Sequence, residues 1–391
     1  MARLRKIFRV TLIVLTVLLI VVLVPLSLVL SHDSPCAAAP ALRAGTATMK
    51  GVAYRCYGTP DVLNVEDLEK PVPADDQVLV RVRAAGINPL DWHYMHGTPY
   101  IMRLQSGIGS PEDPRIGVDY AGTVEAVGSK VTRFHPGDEV FGGRNGALAE
   151  FVTVRESRNI VAKPSNVSFD QAGGVAVAGI TALQALRDVG HLQSGQKVLI
   201  NGASGGVGTF AVQIAKALGA EVTGVCSTKN LELVRRIGAD HVIDYTQQDF
   251  TRAGGSYDLI VDMVGNVALL RAEKTLTPAG RIVIVGGGGP EGKWIEPFLG
   301  PIKTVLLKPF VHHEMRFMLA ELNPKDLDVL GDLMRSGKLT PVVDRTYPLA
   351  EARDAMRHLE QGHARGKVII ALGGDGGKPA QDTAVSNAHG E

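Results

Sequence analysis

Cysteine and net charge are both scarce in this sequence. Only Cys36, Cys56 and Cys226 occur among 391 residues, and they are too few and too scattered for a framework of disulfides. The formal net charge is +1, and no basic stripe follows the N-terminus, which argues against nucleic acid as a partner. Hydrophobic residues make up 45% and charged residues 21%, a composition typical of a globular protein with a substantial core.

One long segment near the N-terminus lacks charge altogether. Arg3, Arg5, Lys6 and Arg9 precede Val10–Leu30, which contains no charged residue. About 20 apolar residues span the hydrocarbon core of a bilayer, whereas the apolar part of a signal peptide is usually about 7–15 residues. The pattern therefore predicts an uncleaved transmembrane anchor, with a cleaved signal peptide and a buried helix as the alternatives.

The rest of the chain changes character along its length. Short extended runs such as Gln77–Gly86 indicate a mostly-β region, whereas strand-like runs separated by helical stretches, beginning near Lys197, indicate βα units and a parallel sheet. The predicted divisions are an anchor (1–31), a linker (32–48), a mostly-β domain (49–170), a βα domain (171–311), a C-terminal part returning to the first domain (312–372) and a disordered tail (373–391).

A cluster of small residues follows the first strand of the βα region. In this position, between a strand and a helix, such a cluster is the fingerprint of a dinucleotide-binding turn. Small residues let the backbone approach a pyrophosphate, and the helix N-terminus favours its negative charge. The predicted cofactor-binding residues of this turn are Ala203, Ser204, Gly205, Gly206, Val207 and Gly208.

The next strand indicates which dinucleotide binds. An NAD site usually carries an acidic residue about 20 residues after the turn, where it binds the ribose 2′-hydroxyl. This chain has Cys226 there, followed by Ser227 and Lys229. A hydroxyl and an ammonium group can bind a 2′-phosphate, so we expect NADPH rather than NADH. Cys226 can equally be a buried strand-end residue, and Lys229 an ordinary exposed lysine.

Several motifs together resemble one known family. "GQKVLINGASGGVGTFAVQIAK" resembles the quinone oxidoreductase signature of the medium-chain dehydrogenase/reductase superfamily, and the resemblance extends from Met49 to Leu372 through "GINPLDWHYMHG", "IGVDYAGTVEAVG" and "FHPGDEVFGG". It implies a GroES-like catalytic domain, a Rossmann domain with a doubly wound parallel sheet, and an active site in the cleft between them. Relatives are often dimers through the edge of this sheet, for which "RIVIVGG" is a candidate strand.

Many members of the superfamily are zinc enzymes, but the positions of their ligands differ here. The places of the three catalytic zinc ligands hold Asn88, Val118 and Val177, and zinc needs thiolate, imidazole or carboxylate donors. The four-cysteine structural lobe of the zinc branch is also absent from a sequence with three dispersed cysteines. We therefore expect no metal.

The resemblance also implies which residues act. Asn88 corresponds to a position near the nicotinamide and the substrate, and His93 stands where the family often has a tyrosine, with Tyr94 next to it. The proton donor therefore stays open between His93 and Tyr94, and His93 can equally be a packed histidine. The resemblance places three further residues near the cofactor: Thr181, Tyr245 and Gly265.

These observations predict a membrane-tethered, metal-independent, NADPH-dependent reductase of quinones or α,β-unsaturated carbonyl compounds. A zinc-free alcohol dehydrogenase or aldehyde reductase is one alternative, and a non-catalytic NADPH-binding sensor at the membrane is another. The basic N-terminus favours a domain outside the cytoplasm, but NADPH is a cytoplasmic metabolite, so the orientation of the predicted single-pass protein stays open. The expected partners are a small-molecule substrate and, in a homodimer, a second copy of the chain.

Overall fold

The computed structural model describes residues 21–252, 254–265, 269–286, 293–294 and 311–373. The first 20 residues, which include the beginning of the predicted anchor, and all but the first residue of the predicted tail lie outside the described residues.

The N-terminal domain is built mainly from antiparallel strands. In the larger sheet, the third, fourth, fifth and seventh strands lie side by side and the sixth pairs with the third, while the first two strands form a separate pair. This mostly-β architecture confirms the predicted GroES-like domain. The strands are β1 Thr48–Ala53, β2 Asn64–Glu69, β3 Gln77–Ile87, β4 Asp119–Val127, β5 Glu139–Gly143, β6 Phe151–Arg155 and β7 Ile160–Ala162.

Helix α1, Pro89–His96, follows β3 directly and carries three of the residues discussed below. It begins after Asn88, whose backbone N–H donates to the carboxylate of Asp91, and it ends at Gly97, which has a left-handed φ of 60°. A proline in the first turn and an acidic residue at the third position are typical start signals. Two shorter helices complete this domain: α2 Arg103–Ser106 and α3 Phe169–Ala172.

The second domain contains six parallel strands with helices packed against them. The strands are β8 Lys197–Asn201, β9 Glu221–Cys226, β10 His241–Asp244, β11 Tyr257–Asp262, β12 Leu276–Val285 and β13 Glu314–Met318. Their order, β10-β9-β8-β11-β12-β13, is that of a doubly wound dinucleotide-binding fold, which confirms the predicted Rossmann sheet. The helices are α4 Ala176–Gln184, α5 Gly206–Ala217, α6 Leu231–Arg236 and α7 Leu269–Ala272.

The edge of this sheet differs from the expectation. In the run "RIVIVGG", the candidate edge strand for a dimer, residues 281–285 lie in β12, and β13 pairs with β12 in parallel. Among the strands that the structure describes, β12 is therefore an interior strand and β13 is at the edge on this side. The sequence of β13, Glu314–Met318, alternates polar and apolar residues, so it is less apolar than an interior strand.

The chain returns to the first domain after β13. Its last strand is antiparallel to β3 and its penultimate strand is parallel to the last. These C-terminal elements are α8 Pro324–Arg335, β14 Val343–Pro348, α9 Ala352–Glu360 and β15 Lys367–Ala371. Short 3₁₀ turns lie at Pro60–Val62, Tyr100–Met102, Thr228–Asn230, Phe250–Arg252, Glu273–Thr275 and Leu349–Glu351.

The predicted transmembrane helix is corrected by the structure. Within the described ranges, no helix combines the length and the apolar character that crossing a bilayer requires. The described part of this segment, residues 21–31, is helical. Leu30, at the end of this helix, is only 3% exposed. The membrane anchor and the single-pass localisation are therefore not supported.

The expectation about the cysteines is also corrected in part. Cys36 and Cys56 form a disulfide, whereas Cys226 is a free, buried thiol. The sequence contains no framework of several bridges, but the segment before β1 folds back onto the catalytic domain and brings these two cysteines together. A single bridge between residues 20 positions apart left no recognisable pattern in the spacing.

The close pairing of β3 and β4 generates a testable prediction on stability. A Cβ atom on Gly122 would lie 2.1 Å from the carbonyl oxygen of Arg81, whereas a Cβ on Gly331, within α8, has its nearest neighbours, ring atoms of Phe141, at 4.0 Å. Gly122→Ala should therefore destabilise the protein by more than about 2 kcal/mol, and Gly331→Ala should stabilise it by about 0.5–1 kcal/mol. Urea denaturation of both variants measures this, and equal shifts in the same direction would contradict the described packing.

Candidate functional site

A buried ion pair lies where the two domains meet. The ammonium Nζ of Lys367, the first residue of β15, lies 3.3 Å from the carboxylate of Asp119 and donates to Oδ1 of Asn88 at 2.5 Å. The Nδ2 group of Asn88 donates to the same carboxylate at 3.1 Å. The three side chains are no more than 3% exposed. The amide of Asn88 is therefore held on both sides by charged groups rather than free to turn.

The other oxygen of Asp119 reaches the second domain. It accepts a hydrogen bond of 2.8 Å from the backbone N–H of Val177, in the first turn of α4. Burial raises the pKa of Asp119, and the ammonium of Lys367 and the donors from Asn88 and Val177 oppose this rise. Because an unpaired charge in such a place is strongly destabilising, these groups depend on one another.

The same lysine also lies against the cofactor-binding turn. The Cδ atom of Lys367 would lie 3.4 Å from a Cβ on Gly206, and the backbone N–H of Gly366 donates to the carbonyl of Ser204 at 3.0 Å. One short segment, residues 366–367, therefore contacts both Asn88 on the substrate side and the glycine-rich turn on the cofactor side.

A cavity of about 780 Å³ opens beside this cluster, within the catalytic domain. Its wall includes Asp91 and Tyr94 of α1, Tyr54 after β1, and Val118 before β4. Leu322, from the segment between β13 and α8, closes one side. The volume is within the range of small-molecule sites, and most of the wall is polar or charged, with Glu112, Arg115 and Arg144 among its residues.

Two tyrosine hydroxyls face this cavity without a hydrogen-bond partner among the described residues. Tyr54 and Tyr94 both line it. Neither hydroxyl is among the fully buried polar atoms without a partner, so both hydroxyls are accessible from the cavity. Burial is the main cause that raises the pKa of Tyr54 above its ordinary value, and the nearby acidic groups, Asp91 among them, raise it further. Tyr54 therefore keeps its proton at neutral pH and can donate it in a hydrogen bond.

Asp91 combines a structural and a chemical property. One carboxylate oxygen accepts from the backbone N–H of Asn88 at 2.7 Å, while Oδ1 is buried without a partner. Burial raises the pKa of Asp91 to about 7, and the charge of Asp119 adds to the rise. Near neutral pH this group therefore exists in both protonation states.

His93 lies on the same helix but faces another way. Its Nδ1 atom lies 2.8 Å from the carbonyl oxygen of Thr98, and it is not part of the described wall of the cavity. A carbonyl oxygen only accepts, so Nδ1 carries the ring proton. Burial lowers the pKa of His93, so Nε2 is unprotonated at neutral pH and has no proton to give. The geometry does not favour His93 as the proton donor.

The dinucleotide-binding turn connects β8 to α5. A Cβ atom on Gly208 would lie 2.1 Å from the carbonyl oxygen of Gly202, which itself has φ +87°. By contrast, a Cβ atom on Gly205 or Gly206 would make only ordinary van der Waals contacts, none closer than 3.4 Å. The turn thus has one glycine that close packing requires and two that it does not, at the N-terminus of α5. Ala203, Ser204 and Val207 complete it.

The residues at and after the end of β9 include the ones that we expected to bind the ribose phosphate. Cys226 is buried, Ser227 is half-buried, and Lys229 is exposed. Asn230 donates to the hydroxyls of Ser204 and Ser227 at 3.0 and 3.3 Å, and its buried Oδ1 has no partner. This arrangement fits a nucleotide bound across the turn, because Oδ1 of Asn230 can accept a hydrogen bond from a hydroxyl of that nucleotide.

An acidic residue that the sequence analysis did not identify lies next to Cys226. Asp244, the last residue of β10, is paired in register with Cys226. Hydrogen bonds from Thr228 and Thr246 lower the pKa of Asp244, so it is ionised, and these two hydroxyls occupy its oxygens. The run "HVIDY" could have indicated this residue. Neighbouring parallel strands end at the same edge of a sheet, so an acidic residue at the end of β10 lies beside the end of β9.

The remaining predicted residues lie at strand or helix positions near this edge. The hydroxyl of Thr181 in α4 donates to the carbonyl of Val177 at 2.7 Å. Tyr245 is 59% exposed after β10. Gly265 has φ +74° and donates its N–H to Asp262 at the end of β11. Tyr245 and Gly265 thus follow the carboxyl ends of β10 and β11, whereas Thr181 lies on α4, before β8.

The side chains at the positions that correspond to the zinc ligands of zinc-dependent members do not fit that metal. The amide of Asn88 is bonded to Lys367 and Asp119, and the side chains of Val118 and Val177 have no donor atoms. Among the described residues, no group of three or more His, Cys, Asp or Glu side chains could hold a metal ion.

Family models match both domains of this chain. A model described as "Alcohol dehydrogenase GroES-like domain" matches residues 74–165, and one described as "Zinc-binding dehydrogenase" matches residues 237–370. The chain is 34% identical over 353 residues to the bovine mitochondrial NAD(P)H oxidoreductase RTN4IP1, covering 80% of this chain and 87% of that protein. It is 32% identical to the chloroplast envelope quinone oxidoreductase homolog of Arabidopsis thaliana, covering 82% and 98% of the two chains.

A solved structure has the same fold. The quinone oxidoreductase from Coxiella burnetii superposes with a TM-score of 0.73 at 30% identity, covering 83% of this chain and 100% of that chain. Fold, dinucleotide-binding turn and sequence similarity agree. The chain is an oxidoreductase that belongs to the medium-chain dehydrogenase/reductase superfamily, in its quinone oxidoreductase-like branch.

Proposed function

We propose that this protein is an NADPH-dependent reductase that transfers a hydride to a quinone or an α,β-unsaturated carbonyl compound without a metal ion. The observation that carries the proposal is the pair of tyrosine hydroxyls, Tyr54 and Tyr94, that face the cavity beside Asn88. Relatives named as a quinone oxidoreductase homolog, a 2-methylene-furan-3-one reductase and a trans-enoyl reductase support the substrate class.

The cavity wall supplies hydrogen-bond donors in place of a metal. When bound, the reduced nicotinamide supplies a hydride to an electrophilic carbon, and negative charge develops on the substrate oxygen. The hydroxyls of Tyr54 and Tyr94 donate hydrogen bonds to that oxygen, which stabilises the charge that develops on it. Tyr94 stands beside the position where relatives often have a tyrosine, and we assign to it the role that His93 does not fit.

Asn88 acts by position in this proposal. Both ends of its amide are held by Lys367 and Asp119, and its backbone N–H caps α1 through Asp91. Asn88 therefore fixes the start of the helix that carries Tyr94, next to the turn that holds the cofactor.

One observation favours the alternative of a zinc-free alcohol dehydrogenase. Oxidation of an alcohol needs a base, and Asp91, with a pKa of about 7, is half ionised near neutral pH. However, its free oxygen is enclosed, whereas the hydroxyls of Tyr54 and Tyr94 are open to the cavity. Turnover of NADP⁺ with primary and secondary alcohols tests this alternative, and a sensor would bind NADPH without oxidising it in the presence of any substrate offered.

Cofactor preference is the second part of the proposal. Cys226 supplies no carboxylate at the end of β9, and Ser227, Lys229 and Tyr245 offer a hydroxyl, an ammonium and an exposed ring on the same side. The oxygens of Asp244 are occupied by Thr228 and Thr246. We therefore assign the 2′-phosphate to Ser227 and Lys229.

The cofactor assignment predicts an ordering of affinities. NADPH should bind at least about tenfold more tightly than NADH, near 1.4 kcal/mol. Lys229→Ala should remove most of this difference by weakening NADPH alone, and Cys226→Asp should reverse it. Fluorescence titration of the unmodified protein and both variants with the two nucleotides measures these affinities, with Lys338→Ala, at an exposed lysine after α8, as the control. Equal affinities in the unmodified protein would contradict the assignment.

The roles of the tyrosines predict a loss of turnover. Tyr94→Phe and Tyr54→Phe should each lower kcat/KM for an enone or quinone about tenfold or more, because each removes a donor to the developing charge. His93→Asn keeps an N–H for the carbonyl of Thr98 and should change kcat/KM by less than about twofold. Steady-state NADPH oxidation measures all three, and a larger loss for the His93 variant would assign the proton to the histidine instead.

The buried ion pair predicts a stability difference between two lysines. Lys367→Met leaves the carboxylate of Asp119 buried without its cation and should cost about 3–5 kcal/mol. The double variant with Asp119→Asn should recover much of this loss. Lys216, paired with Asp240 at the surface, serves as the control, since Lys216→Met should cost less than about 1 kcal/mol. Urea denaturation compares them, and similar costs for both lysines would refute the structural role.

A further inference from the structure

Residues 30–36, which we call the strap, lie across the catalytic domain next to the cavity. The guanidinium of Arg103, the first residue of α2, donates through Nη1 to the carbonyls of Leu30 and His32, both at 2.9 Å. Its Nη2 lies 2.8 Å from the carboxylate of Asp33. The side chain of Arg103 is 1% exposed, so the strap supplies acceptors to a charge that has no access to water.

The catalytic domain surrounds the other faces of the same guanidinium. Its Nε donates to the carbonyl of Gly97 at 2.8 Å. The rings of Tyr57 and Tyr100 lie on it, with centroids 4.3 and 4.6 Å away. Arg103 is thus held between the strap and the catalytic domain, and removal of the strap would expose or unpair it.

The strap has two further attachments. The N–H of Ser34 donates to the carbonyl of Gly109 at 2.8 Å, and a Cβ on Gly109 would lie 2.6 Å from the hydroxyl oxygen of Ser34. Two residues later, Cys36 is bridged to Cys56. The strap is therefore fastened at its beginning, its middle and its end.

These attachments converge on one part of the cavity wall. Gln105, Ser106 and Glu112 line the cavity, and they belong to residues 103–112, which we call the wall segment. Tyr57, the neighbour of Cys56, donates from its hydroxyl to the carbonyl of Gly107 at 2.7 Å, and the hydroxyls of Tyr57 and Ser106 lie 2.9 Å apart. Both the arginine and the disulfide thus connect the strap to the wall segment.

We propose that the strap is part of the substrate-binding machinery: through Arg103 it holds the wall segment in the shape that binds substrate, and the Cys36–Cys56 bridge keeps the strap in place. Arg103 is a positioning residue, because it contacts the wall and not the substrate. The proposal rests on the cavity being the substrate site of the proposed reductase. Ordering the wall in advance removes an entropy cost from substrate binding.

Opening the bridge is the direct way to release the strap. A dithiol reductant donates two electrons and two protons, which convert the bridge into the thiols of Cys36 and Cys56, and the dithiol becomes a cyclic disulfide. Tyr94 and the cofactor-binding turn belong to other elements, and Tyr54, two residues before Cys56, is held separately by its backbone N–H, which donates to the carbonyl of Pro114 at 2.8 Å. Reduction should therefore change substrate affinity rather than the chemical step or NADPH binding.

The test compares the full-length protein with Cys36→Ser, which removes the bridge at an exposed residue. We expect KM for the substrate to rise about three- to tenfold in this variant, with kcat and the Kd of NADPH within about twofold. A dithiol should produce the same rise in the unmodified protein and none in the variant. Arg43→Ala, which breaks an exposed pair with Glu69 outside the strap, is the matched control and should change nothing.

Hydrogen exchange of the wall segment gives a readout that does not need turnover. Amides of residues 103–112 should exchange faster in Cys36→Ser and in the reduced protein than in the oxidised protein, and Arg103→Lys should have the same effect with the bridge intact. Faster exchange without any reductase activity would support the strap and overturn the proposed function. Equal exchange and equal KM in the oxidised protein and Cys36→Ser would overturn the strap proposal.

Discussion

The ion pair between Lys367 and Asp119 is the interaction on which the site depends. A carboxylate and an ammonium group are both withdrawn from water here, and each is tolerable only because the other, together with Asn88 and the N–H of Val177, satisfies it. The four groups come from β15, β4, the start of α1 and α4. The need to satisfy the buried carboxylate of Asp119 thus joins the catalytic domain to α4 of the nucleotide-binding domain.

The same requirement orients the chemistry. Lys367 also lies against Gly206, and the N–H of its neighbour Gly366 donates to the carbonyl of Ser204. The cofactor-binding turn and the start of α1 therefore both contact the same two residues. Asp91 of α1 accepts from the N–H of Asn88 and also lines the cavity, so the cavity wall is connected to the same point. At the position of Asn88 the fold thus holds an amide between two charged groups.

The sequence predicted best what depends on local pattern. The alternation of strands and helices indicated the Rossmann sheet, and the glycine spacing located its turn, because both are short-range properties. It did not single out Lys367 or Tyr54, since their importance comes from neighbours that lie far away in the chain. His93 and Tyr94 could not be ranked because helix position alone does not say which side chain faces a cavity. The apolar composition of the N-terminal run predicted a membrane span. Composition carries no information about tertiary contacts, such as those that bury Leu30 in the described helix.

The return of the last strand to the first domain has a consequence for how the protein is made. Lys367 and Asp119 are 248 residues apart in sequence, so a ribosome adds Lys367 long after Asp119. Contacts of such long range form late and slowly. Until β15 emerges, Asp119 has no cation and the middle of the larger catalytic-domain sheet has an open edge at β3, so a nascent chain can assemble the Rossmann strands but not the site. Synthesis therefore keeps the site incomplete until β15 has been translated.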